Sequence, residues 1–137
     1  MKLLIVLLML VTASYASTAF SCDSLSSCTK FSNKLKGWTD CVGLKSPVFF
    51  EFSTKKRTVT ITTVLAGTDV CKMLAFNTTV INSEKVFMFN VVSGRDGKKM
   101  IIAFSESCLE IRCSLFKSDG TETLNIFHVK DFAVTPD

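Results

Sequence analysis

Histidine, tyrosine and tryptophan each occur only once in this chain of 137 residues. His128 is the single histidine, so any chemistry that needs an imidazole base or ligand has one candidate. Tyr15 lies in an N-terminal stretch that we expect to be removed, which excludes the tyrosine corner found in many β-sandwiches. Cys-x-x-Cys and paired-histidine motifs are also missing. We therefore expect no metal site and no cofactor.

A strong excess of one charge is lacking too. The formal net charge is +4, and it falls to +3 if Lys2 is removed with the N-terminal stretch. This value is modest for one domain and argues against nucleic acid as the main partner. No second apolar run is long enough to span a membrane, because Lys99 and Glu106 bracket the best candidate, residues 100–104.

The N-terminus has the pattern of a secretion signal. Lys2 supplies the positive charge, residues 3–11 are continuously apolar, and small residues at 14–16 or 17–19 offer a cleavage site. We predict a signal peptide over residues 1–19 and one secreted β-domain over residues 20–137. The expected location is outside the cell or in the lumen of the endoplasmic reticulum.

All six cysteines lie beyond the predicted signal. An even number of cysteines in an exported chain predicts a disulfide framework, and six allow fifteen pairings. The residues are Cys22, Cys28, Cys41, Cys71, Cys108 and Cys113. Since Cys113 shares an apolar face with Leu109, Ile111 and Leu115 in a period-two pattern, we predict that Cys113 forms a core bridge between layers of strands.

Most of the mature chain has the composition of β-strands. Short runs rich in β-branched and aromatic residues alternate with turn residues at intervals of about eight to twelve residues. About seven or eight antiparallel strands at this spacing predict an all-β sandwich or barrel. Leu25, Cys28, Phe31 and Leu35 instead recur at steps of three and four, so we predict a short helical segment between Asp23 and Gly37.

Several residues are candidate sites, each with a simpler structural interpretation. Asn77 begins the only glycosylation sequon, in a stretch predicted to be a turn. The basic clusters 55–57 and 98–99 could contact acidic glycans or an acidic protein patch, but charges that keep turns solvated and protect sheet edges explain them better. The triplet 94–96 is interpreted as turn chemistry. His128, Glu106 and Glu110 lack a converging nucleophile, so we expect that the protein is not an enzyme.

Apolar side chains follow one another without a gap at residues 49–50 and 87–89. Consecutive large side chains on a strand point to both of its faces, and one core cannot take them all. An exposed patch, a dimer face or a ligand cavity would accommodate the rest. Cover from loops or from the predicted helix is the simpler interpretation.

Short blocks at the two ends of the chain resemble a viral family. The blocks are residues 1–6, Cys22 with residues 27–29, Cys41, residues 111–114 and residues 128–132. They are similar to the small secreted immunoglobulin-like accessory proteins of coronaviruses, of the open-reading-frame-eight type. The resemblance implies an immunoglobulin-like sandwich with bridges Cys41–Cys113 and Cys28–Cys108. It leaves Cys22 to pair with Cys71 or to link two chains into a homodimer.

The resemblance also implies a function. Proteins of this kind bind host proteins of the secretory pathway or cell surface and blunt immune responses, without catalysis. The chain departs from the family in its short Cys108–Cys113 spacing, its helical N-terminal pattern and its missing aromatic hallmarks. The alternative is a small lipocalin-like carrier of an apolar ligand, which the order of the strands would distinguish.

Overall fold

The computed structural model describes residues 16–116 and 121–136, and the charged and apolar parts of the predicted signal lie outside these ranges. The described residues form eight strands. These are β1 (Ala16–Ser32), β2 (Gly37–Ser53), β3 (Thr58–Thr63), β4 (Gly67–Ile81), β5 (Glu84–Val92), β6 (Lys99–Ser105), β7 (Glu110–Phe116) and β8 (Glu122–Pro136). Each strand is antiparallel to the next, so the predicted all-β, antiparallel class is confirmed.

The strands form a closed barrel in sequence order, not the immunoglobulin-like sandwich implied by the resemblance. Closure comes from β1 and β8, which pair from Ala16 opposite Pro136 to Cys28 opposite Leu124. The spacing of strands in the sequence allowed a sandwich or a barrel, because both use short antiparallel strands joined by tight turns. The pairing of the first strand with the last decides between them.

Phenylalanine rings fill the interior of the barrel. Strand β2 alternates in the way that a wall strand must, with Phe50 and Phe52 buried and Phe49 half exposed. Phe104 is central, because its ring centroid lies 4.9 Å from that of Phe20 and 5.2 Å from that of Phe52. The buried rings are Phe20, Phe50, Phe52, Phe87, Phe89, Phe104 and Phe127. Burying each one contributes about 1.5–3 kcal/mol.

The N-terminal segment is a strand, so the predicted helix between Asp23 and Gly37 is wrong. Strand β1 pairs with β2 as far as Ser32 opposite Gly37, and the turn between them is only four residues long. Ser, Thr and Asn are weak helix formers, and the cross-strand hydrogen bonds outweigh the spacing of apolar residues. As a result Leu25 packs against the core, whereas Phe31 is half exposed.

Strand β7 confirms most of the predicted pattern around Cys113. Ile111 and Cys113 are buried and Leu115 packs against the core. Leu109 is 71% exposed and lies before the strand, which contradicts its predicted place on the apolar face. The cause is local, because Cys108 has a φ of 53° and its left-handed backbone turns the chain just before the strand begins.

Candidate binding surfaces

The disulfide in the described residues joins Cys28 to Cys41. These two residues are direct partners in the β1–β2 pair, and their Cα atoms are only 4.0 Å apart. The bridges Cys41–Cys113 and Cys28–Cys108 implied by the resemblance are therefore not present. The covalent link closes the β1–β2 hairpin and does not join two layers of a sandwich, so the core bridge predicted for Cys113 is also wrong.

Four cysteines remain as free thiols, and all four are buried. They are Cys22, Cys71, Cys108 and Cys113. Burial raises the pKa of Cys22, Cys71 and Cys113 to about 12, and that of Cys108 to about 11. These free thiols are thus protonated at neutral pH, and none is an activated nucleophile. The burial of Cys22 also removes the support for a homodimer linked through it.

Asp69 organises the turn beside one of these thiols. Its carboxylate accepts hydrogen bonds from the hydroxyl of Ser93 and from the backbone N–H of Arg95, the latter at 3.1 Å. The Arg95 guanidinium donates to the carbonyl oxygen of Ala66 at 2.6 Å. The triplet 94–96 therefore holds two turns of the barrel together, in agreement with its interpretation as turn chemistry.

Two of the ionisable residues considered for catalysis, Glu110 and His128, lie opposite each other in the β7–β8 pair, without a nucleophile between them. The Nε2 atom of His128 lies 3.4 Å from the hydroxyl of half-buried Ser26. Glu110 forms an ion pair with Arg112, with 3.0 Å between Oε1 and Nε. No group of three or more His, Cys, Asp or Glu side chains within residues 16–116 and 121–136 has an arrangement that could hold a metal ion.

The basic cluster 55–57 lies in a turn as predicted, whereas the cluster 98–99 spans the end of a turn and the first residue of β6. Residues 54–57 form the exposed turn between β2 and β3. Lys98 lies in the turn before β6, and its Nζ atom is 3.8 Å from a carboxylate oxygen of Asp96. Asn77 is exposed, but it lies within β4 opposite Met88 and not in a turn. The asparagine of the sequon is therefore accessible, and its glycosylation stays a prediction.

A groove of about 420 Å³ lies on the outer face of strands β5, β6 and β7. Its apolar part includes Met88 and Ile101, while Trp38 from the β1–β2 hairpin and Ile81 from the β4–β5 hairpin also line it. The Glu110–Arg112 ion pair and the carboxylate of Glu84 contribute the charged part. We refer to this feature as the outer groove. It combines apolar contact area with two carboxylates and one guanidinium.

Sequence reasoning found only part of the outer groove. The consecutive apolar residues 87–89 required one side chain to point away from the core, and Met88 is that residue. Trp38 was missed, because burial is the usual outcome for a tryptophan that follows a helix. The residues around Trp38 in the sequence do not indicate that the β1–β2 hairpin places it against strands β5–β7.

A second depression of about 350 Å³ lies on the outer face around β1, β2, β3 and β8. Phe49, which is 50% exposed, is its largest apolar side chain not counted in the core. Glu51, Thr60, Thr62 and Asp131 supply polar groups, but most of its exposed lining is apolar. The lining of this depression includes no cationic side chain and no tryptophan, whereas the lining of the outer groove includes both.

Comparison with known proteins identifies no relative of this chain. No protein-family model, no curated protein and no solved structure matches it. Across residues 16–116 and 121–136 the structure has no helix with the length and hydrophobicity needed to cross a membrane.

Proposed function

We propose that this chain is an exported, non-enzymatic protein that binds another protein through the outer groove. The observation that carries the proposal is the contrast between the two faces of the barrel wall. The interior is filled by packed aromatic rings, whereas the outer groove leaves Met88 and Ile101 partly accessible beside Trp38. Because the interior is filled by side chains, we expect a partner to bind on the outside of the barrel.

The chemistry of the outer groove fits a segment of a protein. Tryptophan, methionine and arginine are enriched at the centres of protein interfaces, where a few residues supply most of the affinity. A volume of about 420 Å³ accommodates a few apolar side chains. The Glu110–Arg112 pair is partly exposed and can exchange its partners for groups of the ligand.

Export is supported by the signal pattern and by the disulfide. A hairpin closed by Cys28–Cys41 is compatible with an oxidising compartment. The resemblance of the end blocks adds host proteins of the secretory pathway or cell surface as the partner class, and a role as a viral accessory protein that modulates immunity. This part of the proposal depends on the end blocks alone, because the sandwich and the bridges that the family implies differ from the fold described above.

Affinity capture with a matched pair of variants tests the proposal. Purified wild-type protein is immobilised, and partners are captured from a secretory-pathway extract of host cells, identified, and measured again as purified proteins. Met88→Asp is expected to weaken binding of the partner at least about tenfold, because it places a charge in the apolar part of the outer groove. Phe49→Asp makes the same kind of change in the other depression and serves as the control.

Two results would overturn this assignment. One is the absence of any specific partner that can be confirmed with purified components. The other is a partner whose affinity is unchanged by Met88→Asp, or falls only with Phe49→Asp. Circular dichroism of both variants is measured beside the wild type, so that unfolding is not mistaken for a loss of the binding surface.

A small lipocalin-like carrier of an apolar ligand is the second candidate, and the strand order favours it. Eight strands closed in sequence are typical of such barrels. A ligand inside this barrel would have to displace rings such as Phe52 and Phe104, which lie 5.2 Å apart. Native mass spectrometry of the secreted protein distinguishes the two, because a co-purified lipid would favour the carrier over the protein-binding module.

A further inference from the structure

The β1–β2 hairpin ends in a tip that combines exposed apolar side chains with lysines. At this tip Phe31 is 51% exposed and Leu35 is 72% exposed. Lys30, Lys34 and Lys36 are all exposed, and residues 29–39 contain no acidic side chain. We call residues 30–38 the hairpin tip. The predicted helix would have buried Phe31 and Leu35 on one face, so this surface exists only because the segment is a hairpin.

The hairpin tip has a defined shape. The Cys28–Cys41 disulfide closes its base, and Thr39 donates a hydrogen bond from its hydroxyl to the carbonyl of Lys30 at 3.3 Å. In the turn, the backbone N–H of Leu35 donates to the hydroxyl of Ser32 at 3.2 Å. These bonds fix the backbone of the tip before any partner arrives, which lowers the entropy lost on binding.

We propose that the hairpin tip binds the surface of an anionic lipid bilayer. Phe31 and Leu35 would enter the boundary between head groups and acyl chains, while the lysines keep their charges at the level of the lipid phosphates. Trp38 lies beside Phe31, with ring centroids 5.7 Å apart in an edge-to-face arrangement. Tryptophan favours this interfacial zone of a membrane.

Charge and exposure favour a bilayer over the other occupants. Within the described part of the chain none of the three lysines forms an ion pair, so their charges are available to a negative surface. A soluble polyanion would use the lysines but would leave Leu35 in water. An anionic bilayer uses both, because the charge attracts the tip and the apolar side chains insert. This site is separate from the outer groove apart from Trp38, which contributes to both.

The single tryptophan of the chain makes the test direct, because all of its fluorescence comes from Trp38. Full-length mature protein is mixed with phosphatidylcholine vesicles that contain about one third phosphatidylserine, and with vesicles of phosphatidylcholine alone. With anionic vesicles we expect co-sedimentation, a blue shift of the emission, and quenching by brominated acyl chains. Raising the salt from about 0.15 M to about 1 M is expected to weaken binding strongly.

Matched variants assign the effect to the hairpin tip. Leu35→Asp is expected to lower the partition coefficient at least about tenfold. Leu109→Asp is its control, because Leu109 is 71% exposed but lies just before β7, away from the tip. Replacing the three lysines by glutamine is expected to lower binding by about 100-fold, at about fivefold for each charge. Replacing the three basic residues 55–57 by glutamine, in the turn between β2 and β3, removes the same number of charges and controls for net charge.

Several outcomes would overturn the membrane site. Equal binding to neutral and anionic vesicles would do so, as would equal losses for Leu35→Asp and Leu109→Asp. Binding to a heparin column without binding to vesicles would identify the tip as a site for soluble polyanions. The Met88→Asp variant is expected to bind vesicles normally, so failure of the outer groove and failure of the hairpin tip are distinguishable.

Discussion

Replacing Cys28 and Cys41 together by alanine is expected to lower the free energy of unfolding by about 3–4 kcal/mol. The disulfide joins residues separated by 13 positions, and a closed loop of roughly that length restricts the unfolded chain by about 3 kcal/mol. Cys41 is exposed, so its side chain adds little packing, whereas Cys28 is buried and adds about 1 kcal/mol at most. The loss is a large part of the total of roughly 5–15 kcal/mol expected for one domain.

The comparison with Cys113→Ala makes this prediction decisive. In the structure Cys113 is a free thiol whose sulfur donates to the sulfur of Met100 at 3.8 Å. Its replacement removes one buried sulfur and is expected to cost about 1 kcal/mol. If Cys113 were instead bonded to Cys41, the closed loop would be roughly 70 residues long, and the same change would cost about 4 kcal/mol or more.

Guanidinium denaturation followed by circular dichroism measures both variants beside the oxidised and the reduced wild type. Reduced wild-type protein is expected to resemble the double alanine variant, since both lack the same link. Peptide mapping without reductant identifies the bonded pair independently. A loss for Cys113→Ala as large as that for the double variant, or a peptide joining Cys41 to Cys113, would refute the assignment of the bridge.

Further predictions concern the core, one turn, the free thiols and the N-terminus. Phe104→Ala is expected to cost about 3–5 kcal/mol in a denaturant titration, and Phe49→Ala on the exterior less than about 1 kcal/mol. Gly94→Ala is expected to cost about 1–3 kcal/mol, because a Cβ atom there would lie 2.4 Å from the backbone oxygen of Val70. The contribution of the buried thiols to the free energy of unfolding is expected to be fully present below pH 9.0, the ordinary pKa of a thiol. It is expected to be lost as the pH rises towards about 12, the pKa of Cys113 in the folded state. The free thiols stay protonated in the folded state over that pH range but ionise in the unfolded state, which favours unfolding. The melting temperature is therefore expected to be lower at about pH 10 than at about pH 8. N-terminal sequencing of the exported protein is expected to begin at Phe20, directly after the signal peptide predicted over residues 1–19, and a protein that keeps Met1 would contradict this.

The fold illustrates which local patterns predict structure reliably. The alternation around Ile111 and Cys113 predicted a half-buried strand, and both side chains are buried. The three- and four-residue spacing of Leu25, Cys28, Phe31 and Leu35 predicted a helix, and this failed. Four residues are too few to define a period, and the three that lie in β1 fall on different faces of a strand that pairs with both β2 and β8.

The candidate surfaces were harder to predict than the fold class. The sequence predicted that one of the side chains 87–89 points away from the core, since neighbours on a strand point to opposite faces. The place of Trp38 in the outer groove was not, because it depends on where the β1–β2 hairpin lies against β5–β7. The hairpin tip was not predicted, because the segment was assigned to a helix. Its lysines are evident in the sequence, but their arrangement on a hairpin is not.

The sequence by itself determined the β class, the approximate number of strands and the inward face of β7, because period-two burial and turn residues are local properties of the chain. Only the tertiary structure decided that β1 pairs with β8 to close a barrel, and that Cys28 meets Cys41. Both depend on contacts between residues far apart in the chain or on opposite arms of a hairpin. Local preference does not fix such contacts, since several pairings bury the same apolar side chains equally well.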